Sequence, residues 1–138
     1  IIKSHPFYTH RILNVINGFD VISKWAAYHH EKPNGTGYPF HLCDHELPLG
    51  SRIVAVADVF TAITEDRPYR TGMTDWQCVN VLEEMMLKGD LCPKVGRALL
   101  DHYAEIKEIR QRTQERSREE YRRFKSSNLT EAMLVTAI

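Results

Sequence analysis

The chain has 138 residues, 43% hydrophobic and 26% charged, and its 18 Lys and Arg side chains balance its 18 Asp and Glu. These values predict one globular domain, and zero net charge gives no overall preference for a nucleic acid polymer, so we predict no such partner. No apolar run approaches about 20 residues, which excludes a membrane span in this segment. Cys43, Cys78 and Cys92 lack CxxC spacing, and we predict reduced thiols in a cytoplasmic protein.

The first predicted helix follows Ser4-His5-Pro6. The chain opens on apolar residues without an initiator methionine, which we interpret as the start of a fragment. Pro6 suits the first turn of a helix, and Asn17-Gly18 predicts its end. His5 therefore lies at a helix start, where a solitary histidine is more often a cap or surface residue than a metal ligand.

Two adjacent histidines, His29 and His30, follow an apolar segment at residues 21–27 that has helical spacing. Neighbouring helical residues project about 100° apart, so two such imidazoles are poorly placed to hold one ion together. Each can instead bind one of two adjacent ions, which favours a multi-metal site. The alternative is a pair of C-terminal histidines that complement the helix dipole.

A long glycine-containing connection occupies residues 31–50, and an apolar helix is predicted over residues 51–63. In that helix Asp58 is the only acidic group. An unpaired carboxylate buried there would cost several kcal/mol. Asp58 therefore binds a metal, pairs with Arg52 or Arg67, or lies on a solvent-facing strip, and we favour the metal because perturbed carboxylates cluster at functional sites.

Together these motifs resemble the signature of the HD-GYP family, metal-dependent phosphodiesterases that hydrolyse the bacterial second messenger cyclic di-GMP. Four motifs occur in the family's order, joined upstream by the Ser4-His5-Pro6 triplet, and the likeness covers about residues 3–101. The four motifs are His29-His30-Glu31 and residues 35–39, 52–58 and 66–70.

The resemblance implies a set of functional residues. The metal ligands would be His5, His29, His30 and Asp58, and family members hold two or three iron or manganese ions. The groups that face the cyclic dinucleotide would be Gly37, Tyr38, Pro39, Arg67 and Arg70. The planar guanidinium suits this task because its fork matches phosphate oxygens.

Three departures from the family pattern bear on activity. Asn34 stands where an aspartate usually precedes the glycine, and Thr61 stands where a second acidic residue often follows Asp58. The N-terminal part that supplies the family's His-Asp dyad and a lysine is missing. We therefore expect a cyclic di-GMP phosphodiesterase in the intact parent and an inactive or partial fragment here, with a non-catalytic binding or signalling module as the alternative.

Two more helices are expected before the chain changes character. Residues 74–77 form a capping-box pattern for a helix that Gly89 ends. Pro93 opens the next helix, whose apolar side continues to Ile109. Residues 105–125 hold eight basic and five acidic side chains, typical of a solvated helix, and residues 126–128 predict a break before an apolar helix or tail.

We thus predict an all-α, HD-domain-like bundle of five or six helices that lacks its N-terminal part. Residues 1–104 would be the C-terminal part of an HD-GYP-like domain. Residues 105–138 would be a charged helix and tail that either form a homo-oligomer contact or fold onto the domain as an ordinary C-terminal helix. The predicted core consists of Phe7, Ile12, Trp25, Val56, Phe60, Leu82 and Leu99.

Overall fold

The computed structural model describes the backbone of residues 2–67 and 69–135, and the side chains of residues 3–67 and 69–125. This part of the chain is all-helical apart from loops, turns and two isolated bridges, which confirms the predicted fold class. Its six α-helices are α1 (His5–Leu13), α2 (Asp20–Tyr28), α3 (Leu49–Thr64), α4 (Asp75–Leu87), α5 (Pro93–Asp101) and α6 (Tyr103–Val135).

The contacts divide the chain into two compact units, residues 1–101 and 102–138. In the first unit α2 packs against both α1 and α3, and α4 and α5 pack against each other and against α3. No helix in the described residues is long and apolar enough to span a bilayer. The functional boundary predicted after residue 104 stays a prediction.

The start of α1 agrees with the sequence, and its end does not. Pro6 lies in the first turn, as predicted. The helix stops at Leu13 rather than at Asn17-Gly18, and a turn that includes Gly18 with a φ of 85° leads into α2. Asp20 in the first turn of α2 places negative charge at the positive end of the helix dipole.

The core of the first unit differs in part from the predicted one. Val56, Phe60, Leu82 and Leu99 are buried, as expected from their helical spacing. By contrast Ile12 is 65% exposed, and Phe7 and Trp25 also remain solvent-accessible, so their assignment to the core was wrong. Periodicity identifies the apolar face of a helix, but whether another element covers that face is decided by tertiary packing.

The capping box predicted before α4 is confirmed. The Thr74 hydroxyl accepts the N–H of Gln77, while the Gln77 carboxamide accepts the N–H of Thr74. Gly89, with a φ of 72°, follows the C-cap Lys88. Gly96 of α5 faces Met86 so closely that a Cβ would lie 2.4 Å from the Met86 sulfur, which allows α4 and α5 to approach each other.

The C-terminal third of the chain corrects two expectations. The helix that begins at Pro93 ends at Asp101 and α6 begins at Tyr103, so one predicted helix is two. The break predicted at residues 126–128 is wrong, because α6 continues through them to Val135. Ser and Asn lower helix propensity by only a few tenths of a kcal/mol each, which a long helix tolerates. The last part of the predicted tail, residues 136–138, lies outside the described residues.

Candidate functional site

Three histidines that are distant in sequence meet at the ends of two helices. His5 is the first residue of α1, His29 is the C-cap of α2 and His30 follows it. One ring nitrogen from each lies within 4.8 Å of the others, and the Nε2 atoms of His5 and His29 are 3.5 Å apart. We call these residues the histidine cluster. It is the only group of three or more His, Cys, Asp or Glu with metal-binding spacing in the described residues.

The spacing and orientation of the histidine cluster fit a metal ion. Two imidazole nitrogens each ~2.1 Å from a tetrahedral ion lie about 3.4 Å apart, close to the separation between His5 and His29. The Nδ1 of His29 is 2.7 Å from the carbonyl oxygen of Ala26, so it donates its hydrogen there and leaves Nε2 free to bind an ion. Such a bond orients a metal-binding histidine.

The two adjacent histidines are closer than the sequence argument allowed. Their ring centroids are 4.0 Å apart, and the His30 centroid is 5.0 Å from that of His5. The expectation that they diverge rested on ideal helical geometry, whereas the two side chains turn towards each other at the C-terminal end of α2. His29 and His30 therefore contribute to one cluster.

The ionisation of His30 is perturbed by its surroundings. Burial first, and then the positive charges that His29 and His5 can carry, together lower the pKa of His30 to about 4, although the carboxylate of Asp58 opposes the shift. A neutral imidazole is the form that binds a metal ion. At neutral pH His30 is therefore already in its ligating form.

Tyr38 lies against the histidine cluster. Its ring stacks on His30 with centroids 4.9 Å apart, and the Lys3 ammonium lies 5.6 Å from the Tyr38 centroid. Burial, then the charge of Asp58, raises the pKa of Tyr38, so its hydroxyl stays protonated. The predicted substrate residue thus borders the predicted metal ligands.

The position of Gly37 explains why a glycine precedes Tyr38. A Cβ at Gly37 would lie 2.4 Å from the Glu31 Cα and from the Lys32 nitrogen. Only a residue without a side chain allows the backbone to approach this closely. Pro39 follows in the same segment, joined to Tyr38 by a cis peptide bond.

Asp58 is placed differently from the three histidines. It is exposed on α3 and lies outside the histidine cluster, although its charge acts on both His30 and Tyr38. Arg52, one proposed partner, donates instead to the Asp44 carboxylate at 2.6 Å. Of the three alternatives for Asp58, its exposure agrees with a solvent-facing strip of α3. Its role as a metal ligand stays a prediction.

The two predicted phosphate-binding arginines, Arg67 and Arg70, belong to one turn after α3, which we call the arginine turn. The backbones of Arg67 and Arg70 are paired, with N···O distances of 2.7 and 3.0 Å. The Arg70 guanidinium donates to the carbonyl oxygen of Ala62 at 2.6 Å. Arg70 thus helps to cap the C-terminus of α3, and its predicted contact with substrate is untested.

Two side chains of the 31–50 connection have roles that the sequence reading missed. Glu31 is buried and binds backbone N–H groups within the connection. Asn34 donates to the Lys88 carbonyl and to the Asp90 carboxylate, and accepts from Thr36. A pattern of adjacent polar residues and glycines indicated a folded loop, but it did not show which polar group was buried.

Comparison with known sequences places this chain. The sequence profile of the HD domain family matches residues 1–95, and the chain belongs to this family of metal-dependent phosphohydrolases. Among similar proteins, the 3'3'-cGAMP-specific phosphodiesterase 2 of Vibrio cholerae is 40% identical over 114 residues, which cover 80% of this chain and 21% of that protein.

Two cyclic di-GMP phosphodiesterases are also similar. The protein of Thermotoga maritima is 35% identical over 115 residues, 81% of this chain and 31% of its own length. The protein of Pseudomonas aeruginosa is 42% identical over 76 residues, 54% of this chain and 18% of its own. These relatives confirm the resemblance to HD-GYP phosphodiesterases. The chain spans less than a third of the length of each of the three relatives.

Proposed function

We propose that this protein acts in the metal-dependent hydrolysis of a cyclic dinucleotide, with cyclic di-GMP as the substrate. The observation that carries the proposal is the convergence of His5, His29 and His30 beside the ring of Tyr38. The similar proteins named above act on cyclic di-GMP or 3'3'-cGAMP, which supports the substrate class. We propose iron or manganese as the metal, with two or three ions in the intact parent.

Different side chains of this protein would bind the metal ion and the dinucleotide. His5, His29 and His30 would hold an ion, and the Ala26 carbonyl keeps His29 in the ligating tautomer. When bound, divalent metal ions activate water and neutralise charge on phosphoryl oxygens. Tyr38 presents an aromatic ring next to this position, suited to a nucleobase or sugar.

The arginine turn would add positive charge for the phosphates. We propose that Arg67 and Arg70 contact the phosphate oxygens, with Gly37, Tyr38 and Pro39 along the dinucleotide. The guanidinium of Arg70 already uses one donor on the Ala62 carbonyl. A guanidinium has five N–H donors, so the others are available to a phosphate.

A second function is favoured by the position of Asp58. Three nitrogens converge, while this carboxylate lies outside the histidine cluster and is exposed. Two or three ions that share bridging ligands need more donors than one such cluster supplies. We therefore also propose that residues 1–138 alone bind at most one ion and turn over little or no substrate, so that a binding or signalling role without turnover is the alternative.

A hydrolysis assay separates these functions. The 138-residue chain and its longer parent are incubated with cyclic di-GMP or 3'3'-cGAMP and with Mn²⁺ or Fe²⁺, and linear product is measured by chromatography. The enzymatic function is supported if the parent hydrolyses the substrate, if His29→Ala abolishes this hydrolysis and if His45→Ala leaves it unchanged. Binding without turnover in both chains supports the signalling module, and neither binding nor turnover contradicts both.

Self-association and location complete the proposal. Tyr121 and Phe124 of α6 are 66% and 63% exposed, which supports α6 as a homo-oligomer contact. Light scattering on the full chain tests this, since replacing both with Ser should yield monomers if α6 forms the contact.

A cytoplasmic location stays a prediction, supported by the free thiols of Cys43, Cys78 and Cys92.

A further inference from the structure

Glu31 is a buried carboxylate next to the histidine cluster. Its residue is 2% exposed, although it directly follows His30 and begins a loop. One carboxylate oxygen accepts the backbone N–H of Phe40 at 2.6 Å, and the other accepts that of Leu42 at 3.0 Å. Backbone donors to an ionised acceptor make strong hydrogen bonds, which offset the cost of burying the charge.

These two bonds fold the segment of residues 37–42 back on residues 30–32. The N–H of Tyr38 donates to the carbonyl of His30 at 3.2 Å, on the near side of the fold. Gly37 lies so close to Glu31 that there is no room for a Cβ. At the other end of the segment, the Glu31 carboxylate accepts the N–H groups of Phe40 and Leu42. Both ends of the segment are therefore hydrogen-bonded to residues 30–31.

We infer that Glu31 is a positioning residue that holds the Tyr38 ring against His30. Without the carboxylate, the Tyr38 end of the segment keeps a single backbone bond to His30, and the stacked ring pair at 4.9 Å loses its support. Glu31 touches no reacting atom in this arrangement. It acts through Tyr38, and its importance for the dinucleotide rests on the function proposed above.

Glu46 is a matched control in the same connection. Its carboxylate also accepts a backbone N–H, that of Cys43 at 2.8 Å, within a capping box around a 3₁₀ helix at Asp44–Glu46. Unlike Glu31, Glu46 is exposed. Glu46→Gln therefore makes the same chemical change away from Tyr38.

The first experiment measures the ring contact itself, by nuclear Overhauser effects between Tyr38 and His30 in the full chain. Glu31→Gln keeps the side-chain length but places an NH₂ where an acceptor is needed. We expect the contact to disappear in Glu31→Gln while the methyl signals of Val56 and Leu82 keep their native chemical shifts. In Glu46→Gln the contact should persist. A persistent contact in Glu31→Gln overturns the inference.

Hydrogen exchange on the unmodified chain covers the case in which Glu31→Gln does not fold. The inference predicts that the amides of Phe40, Leu42 and Tyr38 are protected and open together, since they close one fold of the segment. Exchange of the Phe40 and Leu42 amides at the rate of an open loop overturns the inference without any variant.

A pair of affinities distinguishes positioning from general loosening of the fold. Co²⁺ binding, followed by its visible absorption, should change less than twofold in Glu31→Gln, while cyclic di-GMP affinity should fall about tenfold because an ordered side chain is lost. Equal loss of both affinities overturns the inference. A chain that binds no dinucleotide contradicts the proposed function instead, and the Tyr38 contact then decides the role of Glu31.

Discussion

The histidine cluster and the arginine turn were predicted from the same family signature, yet different kinds of interaction bring their residues together. His5 and His29 are 24 positions apart and come within 3.5 Å of each other, each held at the end of a packed helix. Arg67 and Arg70 are three positions apart, and their backbones pair with each other. The first group is assembled by packing, and the second by local hydrogen bonds.

This difference shows how each region depends on the rest of the domain. The arginine turn also contains the Asp66 carboxylate, which accepts the N–H of Gly72 at 2.8 Å, so the turn closes on itself. In the histidine cluster, by contrast, the meeting of His5 with His29 and His30 follows from how α1 lies on α2. Mutations in the packed helices should therefore affect metal binding, and mutations in the turn should act locally.

The largest effect is expected from removing a ligand that packing delivers. His5→Ala should lower metal affinity at least about 100-fold. Removal of only the hydrogen-bond partner of a metal ligand already lowers metal affinity about 10–100-fold. Calorimetric titration with Mn²⁺ and elemental analysis measure this. His102→Ala, outside the first unit, is the control, and unchanged affinity in His5→Ala would remove this residue from the metal centre.

The next effect tests whether the packing of α2 on α3 supports the histidine cluster. A Cβ at Gly50, near the start of α3, would lie 2.1 Å from the indole ring of Trp25 in α2. Gly50→Ala should cost about 3 kcal/mol through overpacking and should weaken metal binding too. Gly18→Ala, where a Cβ meets nothing within 4 Å and only the φ of 85° is strained, should cost about 1 kcal/mol. Equal denaturation midpoints for the two variants would contradict this account.

The arginine turn is tested by separating binding from stability. A charge-assisted contact is worth about 1.5–3 kcal/mol, so Arg67→Ala and Arg70→Ala should each weaken cyclic di-GMP binding by the intact protein about tenfold or more. Arg70→Ala should also lower the melting temperature, because the bond to the Ala62 carbonyl is lost. Calorimetry with thermal melts distinguishes the roles. A folded Arg67→Ala protein with unchanged affinity would show that Arg67 does not contact the ligand.

A smaller effect is expected at Asn34, which departs from the family pattern. Its amide donates to Asp90 at 3.0 Å, and Lys32 forms a salt bridge with the same carboxylate at 3.0 Å. The hydrogen bond from Lys32, then that from Asn34, lowers the pKa of Asp90 against the effect of burial. Asn34→Asp would place a second carboxylate next to that of Asp90. It should lower the free energy of unfolding, measured by urea denaturation, by about 1 kcal/mol. Asn34→Asp combined with Asp90→Asn should recover part of that loss.

The smallest effect is a pH dependence of stability. His30 has a folded pKa of about 4, below its ordinary value near 6.5, so between these values the unfolded chain binds more protons than the folded chain. The free energy of unfolding of the metal-free protein should therefore fall as pH is lowered from about 6.5 to about 4. After allowance for solvent screening the change is about 1 kcal/mol. His30→Gln should flatten this slope and His45→Gln should leave it unchanged, and equal slopes would contradict the assignment.

Much of the local structure followed from the sequence alone. Pro6 in the first turn of α1, the Thr74 capping box and the helical reading of residues 51–63 depend on neighbours within a few positions, and all three are confirmed. The order of the motifs also sufficed to recognise the family, and the HD domain profile agrees. These features survive in any fold because the interactions that produce them lie within one or two helical turns.

Tertiary structure decided the site. The meeting of His5 with His29, the exposure of Asp58 and the burial of Glu31 each depend on groups that are distant in sequence or on which face of a helix is covered. Periodicity shows that α3 has an apolar face, but not that Asp58 points away from it. Likewise a glutamate beside two histidines looks like any loop carboxylate until the N–H groups of residues 40 and 42 fold back on it. Burial and convergence are properties of the packed chain, and a linear pattern does not contain them.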